Sequence, residues 1–162
     1  MAGVSIVVTL EGISLEAVAA ALQGGSTEPL MTNIGAILES SQRERIEETK
    51  TAPDGTKWVP SNGPGTTLLA TGRHLRDSLA FIASADQVEA GSSWEFAHIH
   101  QDGAVIKPKS AERLAFRVGG RKVFAKQVKI PARPFAGVSA DDEKEIQRVT
   151  VDWLRQLLPG AK

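Results

Sequence analysis

A chain of 162 residues with 41% hydrophobic content is long enough to bury a real core, and its composition is globular rather than disordered. Nineteen basic residues balance nineteen acidic ones, so no net field steers the chain toward nucleic acid or membrane, and little self-repulsion opposes association of copies. Absence of cysteine excludes a disulfide framework and thiolate chemistry, and 5% aromatics with no tyrosine leaves few platforms for stacking on bases.

Met1 to Leu10 is apolar but has no basic n-region and is too short to span a bilayer, so neither a signal peptide nor a membrane segment is expected and the chain reads as soluble. Val4, Ile6, Val8 and Leu10 alternate as in a strand. Ser14 is placed to cap a short alanine-rich helix running to Leu22 and ending at Gly24-Gly25. Thr27 is placed to cap a longer helix, with Pro29 early, where its missing N–H does no harm. Leu30, Ile34, Ile37, Leu38 and Ser41 share its apolar face. The polar run Gln42 to Lys50, with Ile46 its one apolar residue, then reads as a helix leaving the core with both faces wet. Pro53-Asp54-Gly55 ends it in a turn.

A proline- and glycine-rich loop over 51–67 holds Trp58, either a plug fastening the loop to the core or a binding anchor. Apolar periodicity resumes over Leu68 to Leu79, and strands are expected over Ser78 to Ala83 and Gln87 to Gly91 around Asp86. Trp94 to Gln101 reads equally as helix or strand. Leu114 to Arg117 and Lys122 to Lys129 flank Gly119-Gly120, whose freedom to adopt positive φ fits a two-residue hairpin that sets Phe116 opposite Val123. Pro131 and Pro134 exclude a central strand over 130–135. Ser139, followed by Asp141, Asp142 and Glu143, opens the last helix, whose apolar face is Ile146, Val149, Thr150, Trp153, Leu154 and Leu157. The expected fold is α+β, a mostly antiparallel sheet packed against two or three helices. It forms one domain over 1–162, with a strand-helix extension at 1–25 and the main region at 26–162.

His98 and His100, with Glu95 and Asp102 nearby, form the chief enzymatic temptation. On a strand the two imidazoles would share a face and a metal; on a helix they would diverge. His74 lies in another segment. There is no G-x-S-x-G elbow, and Gly63-Pro64-Gly65 lacks the lysine of a phosphate loop. Glu47/Glu48 and Asp141/Asp142 have routine helical explanations. No catalytic, cofactor or metal residue is therefore assigned. Charge, however, is segregated. Lys107, Lys109, Arg113, Arg117, Arg121, Lys122, Lys126, Lys129 and Arg133 share the stretch from Val105 to Arg133 with the single acid Glu112, while Asp141 to Glu145 is mostly acidic. Such a basic stretch either blunts an exposed sheet edge, or meets an acidic patch on another copy, or meets DNA.

Four ordered segments resemble the phage virion morphogenesis family, which includes proteins like phage Mu protein G and tail-completion protein S. They are Pro53 to Trp58, Thr71 to Leu79, Phe96 to Gly103 and Ile130 to Ser139, and the resemblance runs from about Leu30 to Leu158. Phe96 stands where the family commonly has tyrosine, and an extra residue separates Gly72 from Leu75. The resemblance implies a non-enzymatic virion component of tail-completion or tail-terminator type. It would be assembled in the host cytoplasm, work at the neck or tail as a homo-oligomeric ring, commonly of six, and serve head–tail joining. Implied partners are copies of itself, other neck and tail-tube proteins and, non-specifically, genomic DNA in the channel; no cofactor and no membrane are implied. Interface candidates are Trp58, His100, Gln101, Arg121, Lys122, Arg133 and Phe135. The alternative is a nucleic-acid-binding module using the basic hairpin over 105–133.

Overall fold

Alternating apolar residues over 79–92 dictate a half-buried hairpin, and this hairpin organises the protein. In a computed structural model, which describes residues 4–9, 26–61, 66–69 and 74–157, strands β2 (Leu79–Ala83) and β3 (Gln87–Ser92) pair antiparallel, Phe81 opposite Ala90. Strand β1 (Val4–Thr9) pairs antiparallel with the other edge of β3, Ile6 opposite Ala90, giving the order β1-β3-β2. The N-terminal strand is thus a full member of the main sheet. The helix expected from Ser14 lies outside the described residues.

Leu79, Phe81, Ala83, Val88 and Ala90 point to one face of this sheet, as the two-residue strand period requires. Helix α1 (Glu28–Glu44) lies across that face and buries Leu30, Met31, Ile34 and Leu38. Helix α2 (His74–Asp77) is a single turn, and α3 (Ala97–Asp102) is a turn and a half. Helix α4 (Ala140–Leu157) packs on α1, and its Trp153 joins the cluster of Leu30, Ile34, Leu38, Val88 and Ala90, with Ile146, Val149, Leu154 and Leu157 around it. The expected face of the last helix is the one that packs.

Two small antiparallel pairs complete the described fold: β4 (Ala104–Ile106) with β7 (Val128–Ile130), and β5 (Leu114–Val118) with β6 (Arg121–Ala125). Gly119 and Gly120 have φ of 56° and 80°, the pair of positive values of a I′ turn, and Phe116 faces Val123 as expected. The expected second strand, Lys122 to Lys129, is broken after Ala125; its last part leaves the hairpin as β7 and pairs with β4. No described helix is long and apolar enough to cross a membrane.

Two helix starts differ in chemistry. Ser139 and Asp142 form a reciprocal capping box, the Ser139 N–H donating to Asp142 Oδ2 at 2.7 Å and the Asp142 N–H to Ser139 Oγ at 3.2 Å. Thr27 does not cap α1. Its hydroxyl donates to the Ala85 carbonyl of the β2–β3 turn instead, and Ser26 Oγ accepts from the Glu28 N–H. The hydroxyl is turned toward the β2–β3 turn brought against the helix start, and no helix N–H reaches it.

Candidate interface surfaces

The polar run after α1 is not the wet segment its composition predicts. Gln42, Arg45 and Ile46 are all buried. The helix widens into a π-helical turn over Arg45–Thr49, closed by the Lys50 N–H donating to the Arg45 carbonyl at 3.0 Å, with Lys50 itself left-handed. This turn carries Ile46 into a second apolar cluster with Trp58, Leu75, Leu79, Ala97 and Phe135. Two charges of the run pair outside it: Glu47 meets Arg76, and Arg43 meets Glu39.

Arg45 is the centre of the buried polar structure. Its guanidinium donates to the Phe135 carbonyl at 3.0 Å, to the Gly137 carbonyl at 2.9 Å and to Asp142 Oδ2 at 2.5 Å. Burial pushes the Asp142 carboxyl up. The Ser139 N–H, the Ser41 and Ser139 hydroxyls and the Arg45 guanidinium outweigh that and hold it below the usual carboxylate range.

Gln101 grips the same segment from the other side. Its Oε1 accepts from the Phe135 and Ala136 N–H groups at 3.0 and 3.1 Å, and its Nε2 donates to the Ala136 carbonyl at 3.0 Å. Trp58 Nε1 donates to the Pro134 carbonyl at 3.1 Å. Arg133 donates to the carbonyls of Val59 at 2.9 Å and Pro60 at 3.3 Å, while its backbone N–H donates to the His100 carbonyl. The chain from Pro131 to Ser139 has no regular secondary structure, so its backbone groups need such side-chain partners. Arg45, Trp58, Gln101 and Asp142 supply them. Gly103, φ 75°, lies against the start of the segment: a Cβ there would lie 2.8 Å from the Ala132 nitrogen and 2.9 Å from the Ile130 oxygen.

The seven interface candidates therefore divide. Trp58, Arg133 and Phe135 are buried, at 7%, 6% and 0% exposure. Trp58 is a plug fastening its loop, and Arg133 holds that loop's carbonyls rather than an acidic group. Gln101 is half-buried and tied to the turn it organises. His100 is half-buried and stacks on Trp94 with ring centroids 5.7 Å apart; His74 stacks on the same indole at 6.0 Å. Desolvation, and then the nearby Arg133 charge, lower the His100 pKa. Because the segment is helical, His98 diverges from His100 and is exposed; no group of three or more metal-ligating side chains gathers among the described residues.

Arg121 and Lys122 alone among the seven are exposed, at the tip of the β5–β6 hairpin. Eight of the nine basic residues over 107–133 are exposed, and none has an ion-pair partner among the described residues; the ninth is Arg133. Neither strand of the hairpin has a second neighbour among the described residues. The acidic stretch Asp141 to Glu145, set against the basic one in the sequence, opens onto a groove whose other walls the sequence does not mark. This groove of about 620 Å³ runs between α1, the Pro53 turn and the start of α4, lined by Glu44, Asp141, Asp142 and Glu145 against the single cation Arg45. Its one legible signal is the acidic first turn of α4.

The fold and these surfaces define a small α+β subunit with a side-chain-latched loop and an open basic hairpin. The phage virion morphogenesis family matches the chain over residues 9–155, and the chain belongs to that family. Its role is accordingly a structural or assembly one in the phage virion. The match begins within β1, well before the Leu30 at which the resemblance by motifs starts. A search of curated proteins and a search of solved structures each found no match.

Proposed function

We propose that this subunit completes the tail or neck of a tailed phage and helps join head to tail as a homo-oligomeric ring, without catalysing a reaction. The observation that carries the reading is the β5–β6 hairpin. Two-stranded hairpins are marginal alone, and this one leaves both outer edges without strand partners among the described residues and holds Phe124 at 55% exposure. A surface of that kind is completed by association. The histidines support the non-catalytic part, since His74 and His100 are spent on stacking against Trp94 and His98 faces away from them.

The test is to make particles without the protein. Full heads beside separate tails, restored to joined virions by adding the purified subunit, are the expected result; normal joined virions in its absence overturn the reading. Mass by light scattering then reports the copy number. A second reading, non-specific DNA contact, draws on the eight exposed cations over 107–129, three of which, Arg117, Arg121 and Lys122, lie on the hairpin itself. It predicts duplex binding whose affinity falls steeply with salt and is indifferent to sequence.

A further inference from the structure

We infer that the outer face of the β5–β6 hairpin docks into the acidic groove between α1 and α4 of a second copy, so that the subunit joins head to tail. This rests on the ring reading and names its two mating surfaces.

The hairpin's outer face is frustrated in the single subunit. Arg117 lies directly opposite Lys122, and like charges facing across a ladder destabilise it. Phe124, opposite Ala115 on the same face, is more than half exposed, with the Lys122 ammonium 5.1 Å from its ring centre. The face is thus an apolar anchor flanked by two cations without carboxylate partners among the described residues.

The groove is its complement. Ala36, Ile37 and Pro53 offer apolar lining, and Glu44, Asp141 and Glu145 stand at it with carboxylates. Among the described residues, Asp141 and Glu145 are engaged only by Lys144 and Arg148 of their own helix, in exposed pairs that are weak and readily exchanged. The hairpin strands are five residues long, about 17 Å, long enough to reach into a neighbour. Hairpin and groove are unlike surfaces on one chain, which makes the contact heterologous and compatible with ring closure. Duplex DNA would match the cations but offers no apolar floor for Phe124.

Charge exchange tests this in the full chain. Arg117→Glu/Lys122→Glu makes both surfaces acidic, and Glu44→Lys/Glu145→Lys makes both basic. Each variant alone is expected to associate at least about a hundred-fold more weakly than wild type in sedimentation velocity. An equimolar mixture is expected to recover assembly, because each variant's hairpin then meets the other's groove. Unchanged melting temperatures confirm that both variants fold. Wild-type assembly of both variants alone overturns the docking and leaves the ring reading standing, as does failure of the mixture to recover. Wild-type protein that stays monomeric overturns both. Loss of duplex binding in Arg117→Glu/Lys122→Glu with assembly unchanged replaces the docking with DNA contact.

Discussion

Truncating Arg45 to alanine leaves three acceptors without their donor: the Phe135 and Gly137 carbonyls and the Asp142 carboxylate. Removing one partner of a buried ion pair costs about 3–5 kcal/mol, mostly because the remaining charge stays buried. Asp142 keeps the Ser139 N–H, which places the cost toward the lower end, about 3 kcal/mol. Against a total stability of about 5–15 kcal/mol that is a large fraction, and it lowers the melting temperature by roughly 6–12 °C. Urea unfolding is the assay: the midpoint falls while the slope stays constant, because the exposed area does not change. Replacing both partners, Arg45→Met with Asp142→Leu, recovers only the part due to the stranded charge, since the Phe135 and Gly137 carbonyls and the Ser139 N–H still lack their partners. The wild-type chain also carries a pH signature. Asp142 has a folded pKa below its unfolded value, so its contribution is complete above the unfolded value of about 4 and is lost as pH falls through the depressed folded value. An Arg45→Ala loss under about 1 kcal/mol would refute the claim that this guanidinium is the centre of the latch.

Gln101→Leu removes three hydrogen bonds from the turn at Phe135 and Ala136 and is expected to cost about 2–4 kcal/mol, read by urea unfolding, with faster amide exchange at those two residues. Gly103→Ala strains a positive φ and drives a Cβ against the 130–132 backbone; a loss of about 2 kcal/mol or more is expected in the same assay. His100 is expected to titrate below the ordinary imidazole value by NMR. Its folded pKa is depressed, so its contribution to stability is present above the unfolded value of about 6.5 and declines as pH falls through the folded one.

The legible parts of this fold are those governed by neighbours in the chain. Gly119-Gly120 announces a hairpin because only positive φ closes a two-residue loop with the right twist, and register then follows automatically to Phe116 and Val123. Ser139 and Asp142 cap α4 three residues apart, and its apolar face keeps the 3.6-residue period. The segment Gln42 to Lys50 was illegible because its polarity is satisfied at long range: Gln42 bonds the Ala90 carbonyl, and Arg45 bonds residues some ninety positions away. Hydropathy scores such residues as wet, whereas long-range partners let them be buried: Arg45 finds three acceptors, and Gln42 uses its Nε2 while its Oε1 has no partner among the described residues. Trp94 to Gln101 was undecided because eight residues show too little periodicity, and the fold makes only the part from Ala97 helical.

Of the candidate surfaces, Arg121 and Lys122 follow from sequence alone, since a charged residue beside a glycine turn has nowhere to go but solvent. Trp58, Arg133 and Phe135 stand out as readily in the sequence, yet tertiary structure decided which way they face. Irregular backbone over 131–139 must find donors and acceptors, and these side chains lie closest to it. Local chemistry along the chain thus determined the elements, the caps and the open basic hairpin. Pairing between distant segments decided that the conspicuous motifs hold the subunit together and that an acidic groove faces outward beside them.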